Sequence, residues 1–163
     1  MMNTPTPQEE AAIAKWIELL HGGATLGSLT GMQAEHYDML YAQAYRLYSA
    51  GRHADAEKVF SFLVTRNPHD TRFTFGLGAC LQAQGEWEQA MGMYACVLPL
   101  DIENPVPPFH ICECMVALGR TTEAMDVLEE LIQRITQPEH EELKQRSQAM
   151  LALLKLQQEN TAS

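Results

Sequence analysis

Apolar residues along this chain recur at spacings of three and four, which is the pattern of amphipathic helices. They predict helices at residues 33–50 and 54–66, 71–84 and 87–99, and 106–118 and 121–135. A further helix is predicted at 138–158, and its apolar side consists of Leu143, Met150, Leu153, Leu154 and Leu156. The pattern therefore predicts an all-α chain in which most helices come in pairs.

The N-terminal part of the chain predicts one more amphipathic helix. Thr6 and Pro7 suit its first turn, and Gly22 and Gly23 end it. Its apolar stripe consists of Ile13, Trp16, Ile17 and Leu20. Such a short helix needs a partner, either the first helix pair of the same chain or a second copy of the protein. Residues 22–31 contain four glycines and are predicted to form a linker.

Four kinds of residue recur with a period of 34 residues. The repeated alanines are Ala56, Ala90 and Ala124, and the glycines five positions earlier are Gly51, Gly85 and Gly119. Apolar residues also lie four positions after each alanine and nine positions before it. This period is typical of tetratricopeptide repeats, which are stacked pairs of antiparallel helices. The glycine is expected in the turn of each pair, and the alanine where its two helices cross closely.

The chain is predicted to form a single domain, residues 1–163, which the repeats divide into segments. The three tandem tetratricopeptide hairpins are predicted at 37–70, 71–104 and 105–138. Residues 1–31 precede them as the N-terminal helix and linker, and residues 139–158 follow as a C-terminal capping helix. A terminal helix of this kind covers the exposed end of a repeat stack.

Composition and charge exclude several classes of function. Hydrophobic residues make up 46% of the chain, as in a globular protein, and the formal net charge is -10. Nucleic acids and anionic membranes attract Lys and Arg, so neither is an expected partner. No secretory signal and no membrane-spanning stretch is recognised, which predicts a cytoplasmic protein.

Candidate catalytic and metal-binding chemistry is weak. The four cysteines, Cys80, Cys96, Cys112 and Cys114, all fall in predicted helices and are expected to be buried apolar residues. Residues two apart on a helix point in different directions, so Cys112 and Cys114 do not face a common ion. The histidines are scattered, and no nucleophile motif or phosphate loop occurs. No enzyme activity, metal or cofactor is expected; among the histidines, only His53 is a candidate for contact with a bound peptide.

The first helix of each repeat is expected to line a concave groove. Tyr41, Tyr45 and Tyr48 form one stripe there, and Arg72 is the one cation at the expected groove positions. The groove is thus aromatic and apolar in a strongly acidic chain, which favours a binding surface for an apolar peptide over one for an acidic tail. The alternative is that the three tyrosines only pack between helices.

Three segments make the chain similar to a known family. They are residues 40–48, residues 70–83, and residues 107–110 with Glu113 and Cys114; Gly22 and Gly23 match as well. In these segments the chain resembles the class II, tetratricopeptide-repeat chaperones of type III secretion systems. Members of that family hold the two hydrophobic translocator proteins in the bacterial cytoplasm, and the resemblance covers nearly the whole length.

The resemblance implies an ATP-independent chaperone that binds an extended N-terminal segment of a translocator in its groove. Carried onto this sequence, the groove residues are Tyr41, Ala44, Tyr45, Tyr48, Phe75, Leu77, Ala79 and Phe109. It also implies self-association as a homodimer through the N-terminal helix, and pairing with a transcriptional regulator is known in the family. A different reading stays open, in which the chain is a structural tetratricopeptide adaptor that joins folded partners.

Overall fold

The computed structural model of the chain describes residue 31 and residues 33–162. The predicted N-terminal helix with Ile13, Trp16, Ile17 and Leu20, and most of the predicted linker, lie outside the described residues. Among the described residues there are helices and turns and no strand, which confirms the predicted all-α fold.

Three helix pairs follow one another along the chain. The first pair is α1 (Ala34–Ser49) and α2 (His53–Arg66), the second is α3 (Thr71–Ala83) and α4 (Trp87–Val97), and the third is α5 (Val106–Ala117) and α6 (Thr121–Arg134). A 3-10 turn at Pro138–His140 then leads into α7 (Glu141–Ala162). These bounds lie within a few residues of the predicted ones, although the last predicted helix begins as a separate 3-10 turn.

The repeated glycines end the first helix of each pair in the same way. Gly51, Gly85 and Gly119 have φ of 74°, 82° and 74°, in the left-handed region where a side chain is unfavourable. The amide after each glycine donates to the carbonyl five residues earlier, as Arg52 does to Leu47 at 2.9 Å. This is the Schellman ending of a helix, and it satisfies carbonyl groups that the helix leaves free. The predicted place of the glycines in the turns is confirmed.

The repeated alanines are fully buried. Ala56, Ala90 and Ala124 have 0% exposure and lie where the second helix of each pair packs on the first. Interiors are close-packed, so a larger side chain at these points would separate the helices. Each helix also packs on the helices before and after it in the chain, which extends the stack from α1 to α7.

The core consists of three apolar clusters arranged along the stack. The first lies between α1, α2 and α3 around Phe60 and Phe73, and the second lies between α3, α4 and α5 around Tyr94. The third joins α5 and α6 to α7 through Leu128 and Leu154. Of the five residues predicted for the apolar side of the last helix, Leu143, Met150 and Leu154 join this cluster, whereas Leu153 and Leu156 are exposed.

Two glycines inside α3 allow unusually close packing. A Cβ atom on Gly76 would collide with the ring of Phe60 from α2, and one on Gly78 would lie 2.9 Å from the ring of Tyr94 in α4. Both rings are almost completely buried and cannot move aside freely. The missing side chains therefore let α3 sit directly against the aromatic residues of the neighbouring helices.

The cysteines divide into three buried residues and one exposed residue. Cys80, Cys112 and Cys114 are buried, and burial raises the pKa of their thiols to about 12, about 12 and about 11. The expectation that all four are buried is wrong for Cys96, which lies on the solvent side of α4. The thiolate is the reactive form, so the buried three should be inert.

Alkylation should separate Cys96 from the other cysteines. With iodoacetamide at pH 8, the native protein is expected to take up one equivalent quickly and the rest only after unfolding, as followed by intact-protein mass spectrometry. The variant Cys96→Ser should lose the fast step. In guanidinium, the reagent should modify all four cysteines of the wild-type protein. Fast uptake of two or more equivalents by the native protein would contradict the described packing.

The same substitution should have opposite effects at two helical glycines. Gly76→Ala should lower the free energy of unfolding by about 1–3 kcal/mol, because the new Cβ overlaps the buried ring of Phe60. Gly92→Ala should raise it by about 0.5–1 kcal/mol, because a Cβ there meets open space and alanine favours the helix. Urea denaturation of both variants measures these changes; equal effects of one sign would show that the close contact is absent.

Candidate functional site

A cleft of about 480 Å³ lies along the first helices of the three pairs, α1, α3 and α5. Helix α1 contributes an aromatic wall, α3 contributes apolar, small and polar residues, and α5 contributes a valine and a histidine. The lining residues are Tyr41, Tyr45, Tyr48, Phe60, Thr71, Arg72, Phe75, Gly76, Ala79, Val97, Asp101, Asn104, Val106 and His110.

The structure brings five of the predicted groove residues together in this cleft, namely Tyr41, Tyr45, Tyr48, Phe75 and Ala79. The tyrosines differ in their packing. Tyr41 meets the ring of Phe60 edge-on at 6.0 Å, and Tyr48 lies 5.0 Å from the ring of His53. Tyr45 is 59% exposed. Tyr41 and Tyr48 therefore serve both the helix packing and the cleft, whereas Tyr45 is available to a ligand.

Three predicted groove residues lie elsewhere. Ala44 is fully buried in the first core cluster, and Leu77 packs between the first and second clusters. Phe109 is 3% exposed in the third cluster, with the guanidinium of Arg146 from α7 at 4.7 Å from its ring centre. The placement of these three side chains on the groove is thus corrected: the first two fill helix contacts, and the terminal helix covers the third.

The sequence interpretation missed Gly76, Phe60 and His110, which all line the cleft. Gly76 and His110 occupy the sixth position of their repeats, one residue beyond the expected groove position. Because Gly76 has no side chain, the ring of Phe60 from the preceding pair reaches the cleft wall. A glycine inside a predicted helix was the available signal, since it indicates a close approach of another group.

The charged side chains that line the cleft have hydrogen-bond partners. The side chain of Arg72 donates to Asp70 at 2.7 Å and to Asp38 at 3.3 Å, and it lies over the ring of Tyr41 at 5.2 Å. Hydrogen bonding to Asp70 is the main cause that raises the pKa of Arg72. At the turn between α4 and α5, Asn104 donates to Asp101 at 2.9 Å and accepts from the amide of Val106 at 3.0 Å. The cleft therefore offers no free cation for an acidic peptide.

A chain of polar contacts lies behind His110, which lines the cleft. The hydroxyl of Tyr94 donates to Gln82 at 2.7 Å, and Gln82 donates to the carboxylate of Glu113 at 2.9 Å. The same carboxylate lies 2.8 Å from His110 Nδ1 and 3.6 Å from the guanidinium of Arg146. This chain ties α3, α4, α5 and α7 together beside the aromatic surface.

The balance of forces on Glu113 favours its ionised form. Burial raises the pKa of this carboxyl, but the hydrogen bonds from His110 and Gln82 and the charge of Arg146 outweigh it, so that the net pKa lies below the ordinary 4.5. Glu113 is consequently a carboxylate at neutral pH and accepts hydrogen bonds without donating any.

Two other kinds of site are absent from the part of the chain that the structure describes. No group of three or more His, Cys, Asp and Glu side chains there is placed to hold a metal ion. No described helix combines the length and the apolar content that crossing a bilayer requires. His53, the histidine singled out from the sequence, is buried at its Nδ1 atom and packs against Tyr48.

This chain is similar to several known proteins. The model of the tetratricopeptide repeat family matches residues 41–105. The low calcium response locus protein H of Yersinia pseudotuberculosis is 35% identical over 159 residues, covering 96% of this chain and 92% of that protein. A crystal structure of a T3SS complex from Aeromonas hydrophila matches with a TM-score of 0.84 and 31% identity, covering 90% of this chain and 98% of that one.

A third comparison is with the type III secretion chaperone SycD of Yersinia enterocolitica, crystallised in complex with a peptide of the translocator YopD. It matches with a TM-score of 0.73 and 36% identity, covering 78% of this chain and 98% of SycD. The similarity thus extends over most of the chain and includes the helices that form the cleft. The resemblance stated from the sequence is confirmed, and the chain belongs to the tetratricopeptide-repeat chaperones of type III secretion translocators.

Proposed function

We propose that this protein binds an extended, largely apolar segment of hydrophobic type III translocator proteins in the cleft formed by α1, α3 and α5. The observation that carries the proposal is the aromatic lining of the cleft, centred on Tyr45, Tyr48 and Phe75. The membership of the family supports it, since the relative SycD was crystallised with a translocator peptide. The partners are two translocator proteins, and the place of action is the bacterial cytoplasm before export.

The chemistry of the cleft suits an extended apolar chain. The cleft crosses three helices that lie side by side, so a ligand that follows it meets a different helix at each step. Aromatic rings offer large apolar contact areas, and the tyrosine hydroxyls offer hydrogen bonds to a ligand backbone. Alternate side chains of an extended peptide can then occupy apolar pockets, as in other grooves that bind peptides.

Charge also selects the ligand. Arg72 is already paired with Asp70 and Asp38, and the whole chain carries a formal charge of -10. An acidic peptide would meet net repulsion without a free cation to receive it. The favoured ligand is therefore apolar and neutral or basic.

The proposed function needs no chemical reaction. Translocator segments that later enter a membrane expose apolar surface, and covering one of them lowers the concentration of chain that can aggregate. Ordering a flexible segment costs entropy, so several filled pockets are needed to hold it. We also propose that the protein forms a homodimer, with contacts made by Ile13, Trp16, Ile17 and Leu20. In this proposal the three repeats form the binding surface, and the capping helix covers the end of the stack.

Truncating Tyr45 should weaken capture without disturbing the fold. Tyr45→Ala is expected to lower the affinity for the bound translocator segment roughly 30-fold, on the order of 2 kcal/mol, because an aromatic anchor is lost. Its side chain is 59% exposed, so the unfolding temperature should change little. The measurement is isothermal titration of the purified chaperone with peptides that cover the N-terminal regions of the type III translocator proteins of the same organism.

The matched control is Leu153→Ala, which removes a side chain of similar exposure, 61%, from α7 outside the cleft. This variant should bind like the wild-type protein. Equal affinities for all three proteins would place the binding surface elsewhere. Binding only to a folded partner, and to none of the peptides, would favour a structural adaptor instead.

A further inference from the structure

His110 is held rigidly in the wall of the cleft. Its ring stacks on Tyr94 with the centres 5.2 Å apart and the planes at 20°, and it meets the ring of Phe75 edge-on at 5.5 Å. The remaining neighbour is Phe109, at 5.9 Å on the same helix. A ring enclosed by aromatic groups in this way has little freedom to rotate, so its two nitrogen atoms keep fixed directions.

The neighbour of Nδ1 determines which nitrogen carries the proton in the neutral ring. Nδ1 lies 2.8 Å from Oε2 of Glu113, which also accepts from Gln82 at 2.9 Å. Hydrogen bonds and the nearby Arg146 hold the pKa of Glu113 below its ordinary value, against the effect of burial, so the group is an acceptor only. Nδ1 must therefore donate, and in the neutral imidazole this leaves Nε2 as a hydrogen-bond acceptor.

Nε2 has no partner within the part of the chain that the structure describes. The ring makes its hydrogen bond through Nδ1, and Nε2 is accessible to solvent. The side chain is 26% exposed and lines the cleft. The cleft thus presents an oriented acceptor beside the ring of Phe75.

We propose that His110 is a specificity-determining residue, whose Nε2 accepts a hydrogen bond from one backbone N–H of the bound segment. This inference rests on the proposed function, since it concerns the same cleft and the same ligand. Glu113 and Gln82 act as positioning residues, because they fix the proton on Nδ1 and leave the ligand-binding atom unprotonated.

The chemistry of the ligand explains why a backbone N–H is the donor. An extended segment with apolar side chains has few other donors, and each amide that enters an apolar cleft without a partner costs free energy. An acceptor held at a fixed point among aromatic rings therefore sets the register, because it matches one amide and leaves the flanking side chains in the aromatic pockets. A hydroxyl from Ser or Thr is the competing donor, and the experiment separates the two.

The ligand-free protein offers a first test. Long-range ¹H–¹⁵N spectra of the histidine rings at pH 8 should show His110 protonated on Nδ1 and unprotonated on Nε2. In Glu113→Ala no carboxylate accepts from Nδ1, so the proton should move largely to Nε2 and ligand affinity should fall about five- to tenfold although His110 is unchanged. A proton on Nε2 in the wild-type spectrum overturns the proposal.

The second test replaces the amides of the bound translocator peptide by esters, one position at a time. One ester should lower the affinity for the wild-type protein about five- to tenfold more than it lowers the affinity for His110→Phe, which keeps an aromatic ring but has no acceptor. A parallel series replaces each Ser and Thr of the peptide by Ala and Val. Near-ultraviolet circular dichroism shows whether His110→Phe is folded. If it is not, the ¹H–¹⁵N spectra of the wild-type protein test the proposal, because they show which ring nitrogen of His110 carries the proton.

The outcomes separate the two proposals. If the wild-type protein binds no peptide, the proposed function fails and this inference fails with it. If it binds, but every ester has the same effect on both proteins, only the role of His110 is overturned. Coupling between His110 and a Ser or Thr of the peptide, with none at any amide, would show that the donor is a hydroxyl. That result would overturn the proposal that a backbone N–H donates to His110.

Discussion

The close crossing of the two helices in each pair is the constraint on which the rest of this structure depends. Ala56, Ala90 and Ala124 are fully buried at these crossings, and the glycine turns bring the second helix of each pair back against the first. Since every pair then packs on the next, the first helices lie side by side. The cleft is a consequence of this arrangement, because most of its lining residues come from α1, α3 and α5.

Within that arrangement, the cleft combines apolar contact with few unpaired polar groups. Gly76 allows the ring of Phe60 to reach the wall, and Arg72 is neutralised by Asp70 and Asp38. The carboxylate of Glu113 is likewise occupied by its neighbours. An apolar segment can therefore displace water from the rings while Arg72 and Glu113 keep their partners, which avoids the high cost of leaving a charge unpaired.

The sequence was sufficient for the scaffold because each repeated residue type has a local cause. Gly51, Gly85 and Gly119 are required by left-handed turns, and the period of 34 residues places the helices to within a few residues. The tyrosine stripe of α1 was also predictable, since residues three and four apart share a helix face.

The rest of the cleft depends on contacts between elements far apart in the chain. Phe109 was assigned to the groove by its repeat position, but α7 places Arg146 over its ring and closes that position. The role proposed for His110 depends on Tyr94 and Glu113, which flank its ring, and its position one residue beyond the expected groove site gave no sign of these contacts. Such features follow from packing and not from periodicity.

Site-specific photocrosslinking in the complex formed with the co-expressed translocator tests the central claim most directly. A benzophenone side chain introduced at Tyr45 should crosslink to the translocator, because this residue lines the cleft and is exposed. The same group at Phe62, an exposed residue of α2 outside the cleft, should not. Crosslinks from position 62 with none from position 45 would contradict the assignment of the cleft as the translocator-binding surface.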